Sequence, residues 1–390
     1  MVYWLILVVI LLVLLIVRLY YPYVFKAFRL TILRGRRTAD PYDLQDFEHR
    51  TIVGGAIRPW PKDRQYNQLR FSKDFSRQLL EMKTTAFLIS RNGELLHEQY
   101  FGGHHQETLS NSFSMAKSVV VLMTGKAVEE GFLNSLDQKV HEFFPQYAYS
   151  PADQLTILDL IRMSSGMNWK EDYYLPMNVT TQAYYGRDLK SLILNRKIGT
   201  LPGRKFEYQS GNTQLLGMIL EQVLPVNLST YLSEKFWVPM GMESNAYWTI
   251  DETSGIEKTY CCVHATARDF MRFGQLLLQN GAWNGQQLLG TSYIDEMRRA
   301  GFPTSPQYGA GLWLDMDYDP PFYLMRGHLG QYVIVLPQSD AVICRLGRKY
   351  RKENATPPRL DPSDIYTYVD GVINAMNQVD QSSVLGPPRL

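Results

Sequence analysis

The hydrophobic period of this chain changes twice, and those changes limit how it can fold. Residues 84–100, TTAFLISRNGELLHEQY, alternate apolar and polar around an Asn92-Gly93 pair. That dipeptide tolerates the positive φ values of a tight hairpin turn. Between about 120 and 300 the pattern is helical, in stretches such as TILDLIRMSSG, NTQLLGMILEQV and ATARDFMRFGQLLLQNG. After residue 305 a strand period returns in 308–315, 322–337 and 340–347, which read as three strands, and 363–378 closes as an amphipathic helix with Ser363 at its N-cap. The order strands, helices, strands, helix predicts an α/β (α+β) fold. One antiparallel sheet is built from both ends of the chain and flanked by helices, with a large, mostly helical insertion at about 120–300.

The first residues obey a different rule. VYWLILVVILLVLLIV (2–17) is an unbroken apolar run. Extended to residue 21, it approaches the ~20 residues that cross a bilayer. It lacks the basic start and small-residue cleavage site of a signal peptide, so residues 1–21 are expected to be an uncleaved single-pass anchor. Residues 22–79 read as a basic juxtamembrane segment and lead-in, 80–378 as the main domain, and 379–390 as a loose tail. Arg18, Lys26, Arg29, Arg34, Arg36 and Arg37 follow the apolar run, and no acid appears before Asp40. The positive-inside rule places that flank in the cytoplasm; contact with anionic head groups is the other reading.

A net charge of +2 gives no global field for nucleic acid. The cysteines are Cys261, Cys262 and Cys344. Adjacent cysteines rarely pair, so no disulfide framework is expected. No spacing of zinc ligands is present.

Three short stretches carry candidate chemistry. In FSMAKS, Ser114 and Lys117 share one face at the start of a helix. A serine hydroxyl needs a base to become a nucleophile, and a buried lysine can be one. The same pair could equally be solvated on a surface helix. In FEYQSGNTQLLG, Tyr208 precedes a helix start that Ser210 or Asn212 could cap. A phenol beside an ammonium can shuttle protons, although most tyrosines are packing. In HLGQY, Gly330 would let a strand backbone approach a substrate oxygen, with the N–H of Gln331 joining that of Ser114 as an oxyanion hole and His328 lining the pocket. A structural histidine at a bulge is the plain alternative. In NWKEDYYLP, Asp172 and Tyr173 could touch substrate or merely cap and pack, and Trp313 reads as core.

Ser-x-x-Lys, Tyr-x-Ser and His-x-Gly, in that order, resemble the penicillin-recognising serine hydrolases of the class C β-lactamase-like family. The supporting stretches RNGELLHEQY, LTILDLIRMSSGMNW, PGRKFEYQSGNTQLLG and GHLGQYVIV extend the likeness over about residues 80 to 378. Tyr-x-Ser and GHLGQY look nearest to the esterase and 6-aminohexanoate-dimer hydrolase-like members. The resemblance implies catalytic Ser114, Lys117 and Tyr208, oxyanion donors on Ser114 and Gln331, and substrate contacts from Ser210, His328 and Gly330. It implies acyl transfer to and from an ester or amide with no metal or organic cofactor. A β-lactamase or D-alanyl peptidase-like cell-wall enzyme, and a non-catalytic scaffold of the same fold, are the alternatives. His328 stands where such β-lactamases carry a lysine, which shifts the expectation from β-lactams to esters or amides. Such bacterial enzymes work outside the cytoplasmic membrane, so the resemblance and the basic flank disagree about the side.

Overall fold

The computed structural model describes residues 1–351 and 360–385. Helix α1 (Val2–Tyr20) is followed after one residue by α2 (Pro22–Leu30). Strand β1 (His49–Ile52), helix α3 (Lys73–Glu81), strands β2 (Thr84–Arg91) and β3 (Glu94–Tyr100), and the short β4 (Ser110–Asn111) lead to helix α4 (Met115–Glu129). The insertion carries α5 (Ile157–Ile161), α6 (Val179–Tyr185), α7 (Leu189–Leu194), α8 (Ser210–Val223), α9 (Leu228–Leu232), strands β5 (Ala246–Thr249) and β6 (Val263–Ala265), and α10 (Ala267–Leu278). A two-strand ribbon, β7 (Ala282–Trp283) with β8 (Gln286–Gln287), precedes α11 (Thr291–Arg298). Strands β9 (Trp313–Asp315), β10 (Phe322–Gly327), β11 (Gln331–Leu336) and β12 (Ala341–Gly347), then α12 (Asp364–Leu385), complete the chain.

Among the described residues, the main sheet is antiparallel in the order β3-β2-β12-β11-β10-β9, so both ends of the chain build it. The hairpin turns where expected, with φ of 52° at Asn92 and 77° at Gly93. Side chains alternate across β11 and β12. Tyr332, Ile334 and Ile343 join a core under α3 and α12, while Val333, Val335, Val342 and Cys344 join the core shared with α4 and α10. Gly274 brings α10 onto the sheet: a Cβ there would lie 2.5 Å from Val342.

Three elements differ from the sequence reading. Residues 322–337 are two strands, because Leu329 (φ 60°) and Gly330 (φ 83°) turn the chain back and set Gly327 opposite Gln331. The insertion contributes to a second sheet, β1-β5-β6-β4, whose strands of two to four residues are too short to show a period. The end of the chain continues α12 to Leu385 before the described residues stop.

Residues 22–39 are packed rather than extended. Tyr23, Ala27 and Leu30 belong to the core. Lys26 pairs with Glu252 at 2.7 Å, Arg36 with Asp40 at 3.0 Å, and both Arg34 guanidinium nitrogens reach Asp46. Several basic residues after α1 thus tie α2 and its flank to acids of the fold.

Candidate active site

The chain enters the site through β4. The Ser112 N–H donates to the Val263 carbonyl at 2.7 Å, and the Val263 N–H donates to Ser112 Oγ at 3.1 Å. The Phe113 N–H donates to Asn111 Oδ1 at 2.8 Å. These bonds hold Phe113 at φ 43°, a conformation unfavourable for a bulky residue that persists only when its surroundings enforce it. The next residue, Ser114, is thereby placed at the N-cap of α4, at the positive end of a 15-residue helix.

Helix α4 is buried almost all round, so the surface-helix alternative fails. Lys117 is 2% exposed. Its Nζ lies 2.9 Å from Ser114 Oγ, 3.2 Å from Ser210 Oγ and 2.8 Å from the Tyr260 carbonyl. It also sits 5.0 Å from the centre of the Tyr208 ring. Ser114, Lys117, Tyr208 and Ser210 are therefore brought together. Neither Ser210 nor Asn212 caps α8, because Gln209 is the N-cap and is tied by its side-chain amide to the Met167 and Trp169 carbonyls. Ser210 is instead the first helical residue.

The Ser210 hydroxyl donates to Glu171 Oε1 at 2.7 Å and its N–H donates to Oε2 at 2.8 Å, where the Trp169 indole N–H also donates at 2.7 Å. Sequence reasoning passed over Glu171 for its neighbours. Asp172 is a turn cap, accepting from the N–H groups of Tyr174 and Leu175. Tyr173 lies on the ring of His328, centroids 4.9 Å apart. Burial, with the Glu171 carboxylate nearby, pushes its phenol well above the ordinary value. Trp313 is half-buried beside Tyr208, ring centres 5.3 Å apart, with the Arg326 guanidinium over its ring, 3.7 Å from the centre.

The turn at 328–330 sets the geometry of HLGQY. The close approach belongs to Gly327, where a Cβ would meet the Ser112 carbonyl at 2.2 Å. Gly330 faces away, and a Cβ there would lie 2.0 Å from Arg345. The Gln331 side-chain amide donates to the Gly347 carbonyl at 2.6 Å. Neither Gly330 nor Gln331 lines a cavity at Ser114, whereas Gly327 and His328 do. Arg345, fully buried, holds the turn from behind through the Gly330 carbonyl at 2.7 Å and the Leu329 carbonyl at 3.2 Å. The sequence carries one signal for it, a lone arginine in an otherwise apolar strand.

Two cavities meet at Ser114, and Tyr173 and His328 border both. The smaller, about 130 Å³, is the more polar of the two and is bounded by Tyr208, Arg326, Gly327, Tyr350 and Asp361. The larger, about 320 Å³, lies between the domain and α2. Its wall includes Cys261, which forms a disulfide with Cys262, contrary to the expectation that adjacent cysteines stay unpaired. Cys262 takes φ 74°, a left-handed backbone that lets the chain close so small a ring, and Tyr260 just before it holds Lys117.

The Beta-lactamase family model matches residues 73–356. The chain belongs to that family. Its members are serine hydrolases, and the match contains the residues gathered around Ser114 except those of α2 and its flank and Asp361 and Pro362. A 6-aminohexanoate-dimer hydrolase of Paenarthrobacter ureafaciens is 28% identical over 238 residues, 58% of this chain and 60% of that protein. Protein flp of Staphylococcus aureus is 24% identical over 173 residues, 42% of this chain and 34% of its own. The chain thus spans less than two thirds of these relatives. Among solved structures, one named "Putative 6-aminohexanoate-dimer hydrolase" from Bacillus anthracis superposes with a TM-score of 0.70 at 22% identity, covering 87% of this chain and 94% of that one. That likeness speaks for the fold.

Proposed function

We propose that this protein hydrolyses an ester or amide through an acyl-enzyme on Ser114. The carrying observation is the three-way contact of Lys117. A neutral amine has two hydrogens and one lone pair. In the proposed cycle Lys117 is neutral as Ser114 attacks: the Tyr260 carbonyl and Ser210 Oγ accept its two hydrogens, and its lone pair turns to the Ser114 hydroxyl, 2.9 Å away. Lys117 then takes the Oγ proton as Ser114 attacks, and Tyr208 passes a proton to the leaving group. Water, activated by Tyr208, releases the acyl group. The N–H groups of Ser114 and His328 are the proposed oxyanion donors, in place of Gln331. Losing one such donor typically costs ~3–4 kcal/mol of transition-state stabilisation. Similarity to a 6-aminohexanoate-dimer hydrolase supports the ester or amide class.

A cell-wall peptide or β-lactam is the second reading, favoured by Arg326, a cation beside Ser114 that could hold a carboxylate. We further propose that α1 is a membrane anchor with the domain outside the cytoplasm. A disulfide at Cys261–Cys262 supports that side, since disulfides persist in oxidising compartments. The basic flank has a structural use in fixing α2, which weakens it as a topology signal.

The test is intact mass of the full chain in detergent after exposure to a fluorophosphonate, an activated acyl ester and penicillin. Adduct on Ser114 that disappears in Ser114→Ala and slows in Lys117→Ala is expected. A folded protein with no adduct from any reagent would point to the scaffold, and a long-lived penicillin adduct to the second reading.

A further inference from the structure

The larger cavity is walled by a part of the chain outside the family match. Val24, Ala27, Phe28 and Thr31 form one face of α2 and its end, and they close the cavity over Phe113, Tyr184 and Cys261. The lining is mostly apolar, and at about 320 Å³ it has room for part of one acyl chain rather than a whole lipid. Ser114 lies in its wall. Its outer edge carries apolar side chains in solvent. Phe28 and Ile32 on one side, 49% and 55% exposed, face Tyr174 and Pro176 on the other, with Leu175 and Met177 flanking at 52% and 56%. An exposed apolar rim around a pocket marks a surface that meets something apolar. Here α2 follows α1 after a single residue, so the rim lies close to the helix that would sit in the bilayer.

The two cavities also differ in chemistry. Tyr208, the proton donor to the leaving group, borders only the small polar cavity with Arg326. The leaving group must lie there, and the acyl group must point into the apolar cavity.

We infer that the substrate is an amphiphile of the bilayer, an ester or amide whose acyl chain enters the cavity beneath α2 while its polar leaving group rests against Tyr208 and Arg326. This rests on Ser114 being the nucleophile. In the first step the Ser114 Oγ–acyl carbon bond forms, the bond from that carbon to the leaving oxygen or nitrogen breaks, and the Oγ proton moves through Lys117 and Tyr208 to the leaving atom. In the second step water attacks the same carbon, its proton returns to Ser114 Oγ, and a free carboxylic acid leaves.

The experiment uses the full chain in phosphatidylcholine–phosphatidylglycerol vesicles with p-nitrophenyl acetate and p-nitrophenyl decanoate. The wild type is expected to prefer decanoate by at least tenfold in kcat/KM. Ala27→Trp and, separately, Val24→Phe fill the cavity from α2 and should lower that ratio by about tenfold. Circular dichroism reports whether each variant is folded, and labelling of Ser114 by a small fluorophosphonate reports whether its nucleophile is intact. If Ala27→Trp fails that check, Val24→Phe and the wild-type profile decide. A wild-type enzyme indifferent to chain length, or a ratio unmoved by both variants, overturns the inference while leaving the nucleophile intact. Absence of any Ser114 labelling in folded wild type would instead remove the hydrolase reading beneath it. Leu175→Asp tests the source of the chain. Slower turnover of vesicle-borne decanoate is expected, and no effect would mean that the chain arrives from solution.

Discussion

Glu171, when ionised, has no hydrogen to give, and it accepts three: from the Ser210 hydroxyl, the Ser210 N–H and the Trp169 indole. Its charge therefore orients the hydroxyl that receives Lys117. Glu171→Gln keeps the shape but replaces one acceptor oxygen with a donor. A roughly 10- to 100-fold lower kcat/KM, the equivalent of losing one hydrogen bond to a charged group at about 1.5–3 kcal/mol, is expected with Ser114 labelling still detectable. His97 gives a pH prediction. Burial lowers its pKa to about 4 from 6.5, with the Gln99 side chain opposing. Below pH 6.5 the unfolded chain takes up the proton and the folded chain does not until about pH 4. Stability from this residue is thus lost as pH falls through that window, by at most about 1.4 kcal/mol per unit. Urea unfolding of His97→Phe at pH 5 and pH 8 should show a smaller acid-side loss than the wild type. Ser114 and Lys117 were legible in the sequence because their chemistry depends on a local spacing of one helical turn. Glu171 was not, because its partner Ser210 lies 39 residues away and only folding joins them.

At the scale of elements, the loop from Tyr260 to Cys262 connects a redox bond to Lys117, the proposed base. The Tyr260 carbonyl is a fixed partner of Lys117, and the adjacent disulfide restricts the backbone that carries it. Reduction should loosen that carbonyl and slow acylation of Ser114 several-fold without unfolding the sheet. Fluorophosphonate labelling with and without a phosphine reductant measures this, and a Cys261→Ser, Cys262→Ser double variant should be slow in both conditions. The same scale shows why two strands were read as one. The run 322–337 is apolar on both sides of HLGQY, so its period gives one strand. The reversal depends on two residues in left-handed conformations, Leu329 among them, and a leucine carries no turn signal. The buried Arg345 that holds their carbonyls is on another strand.

For the whole molecule, the antiparallel sheet and the helical insertion were legible because their periods extend over many residues. The packing of residues 22–39 was not, because a short basic segment after an apolar run looks alike whether it docks or hangs free. Two truncations separate these states. A chain lacking residues 1–21 keeps α2, whereas one lacking 1–37 also loses buried Leu30 and Tyr23. At ~1.5–3 kcal/mol for each large apolar side chain uncovered, the longer truncation should be less stable by about 3–6 kcal/mol. Chemical denaturation of the two chains checks it, and equal stabilities would mean that the segment does not dock in solution.

The join between α1 and α2 is Tyr21 alone, and Lys26 pins α2 to Glu252 a few residues later. Were α1 held in a bilayer, as proposed, the domain would be mounted on the membrane with little slack. The height of Ser114 above the lipid would then be a fixed distance. An enzyme so mounted would work as a gauge, sorting otherwise equivalent bonds by how far each stands from the membrane surface.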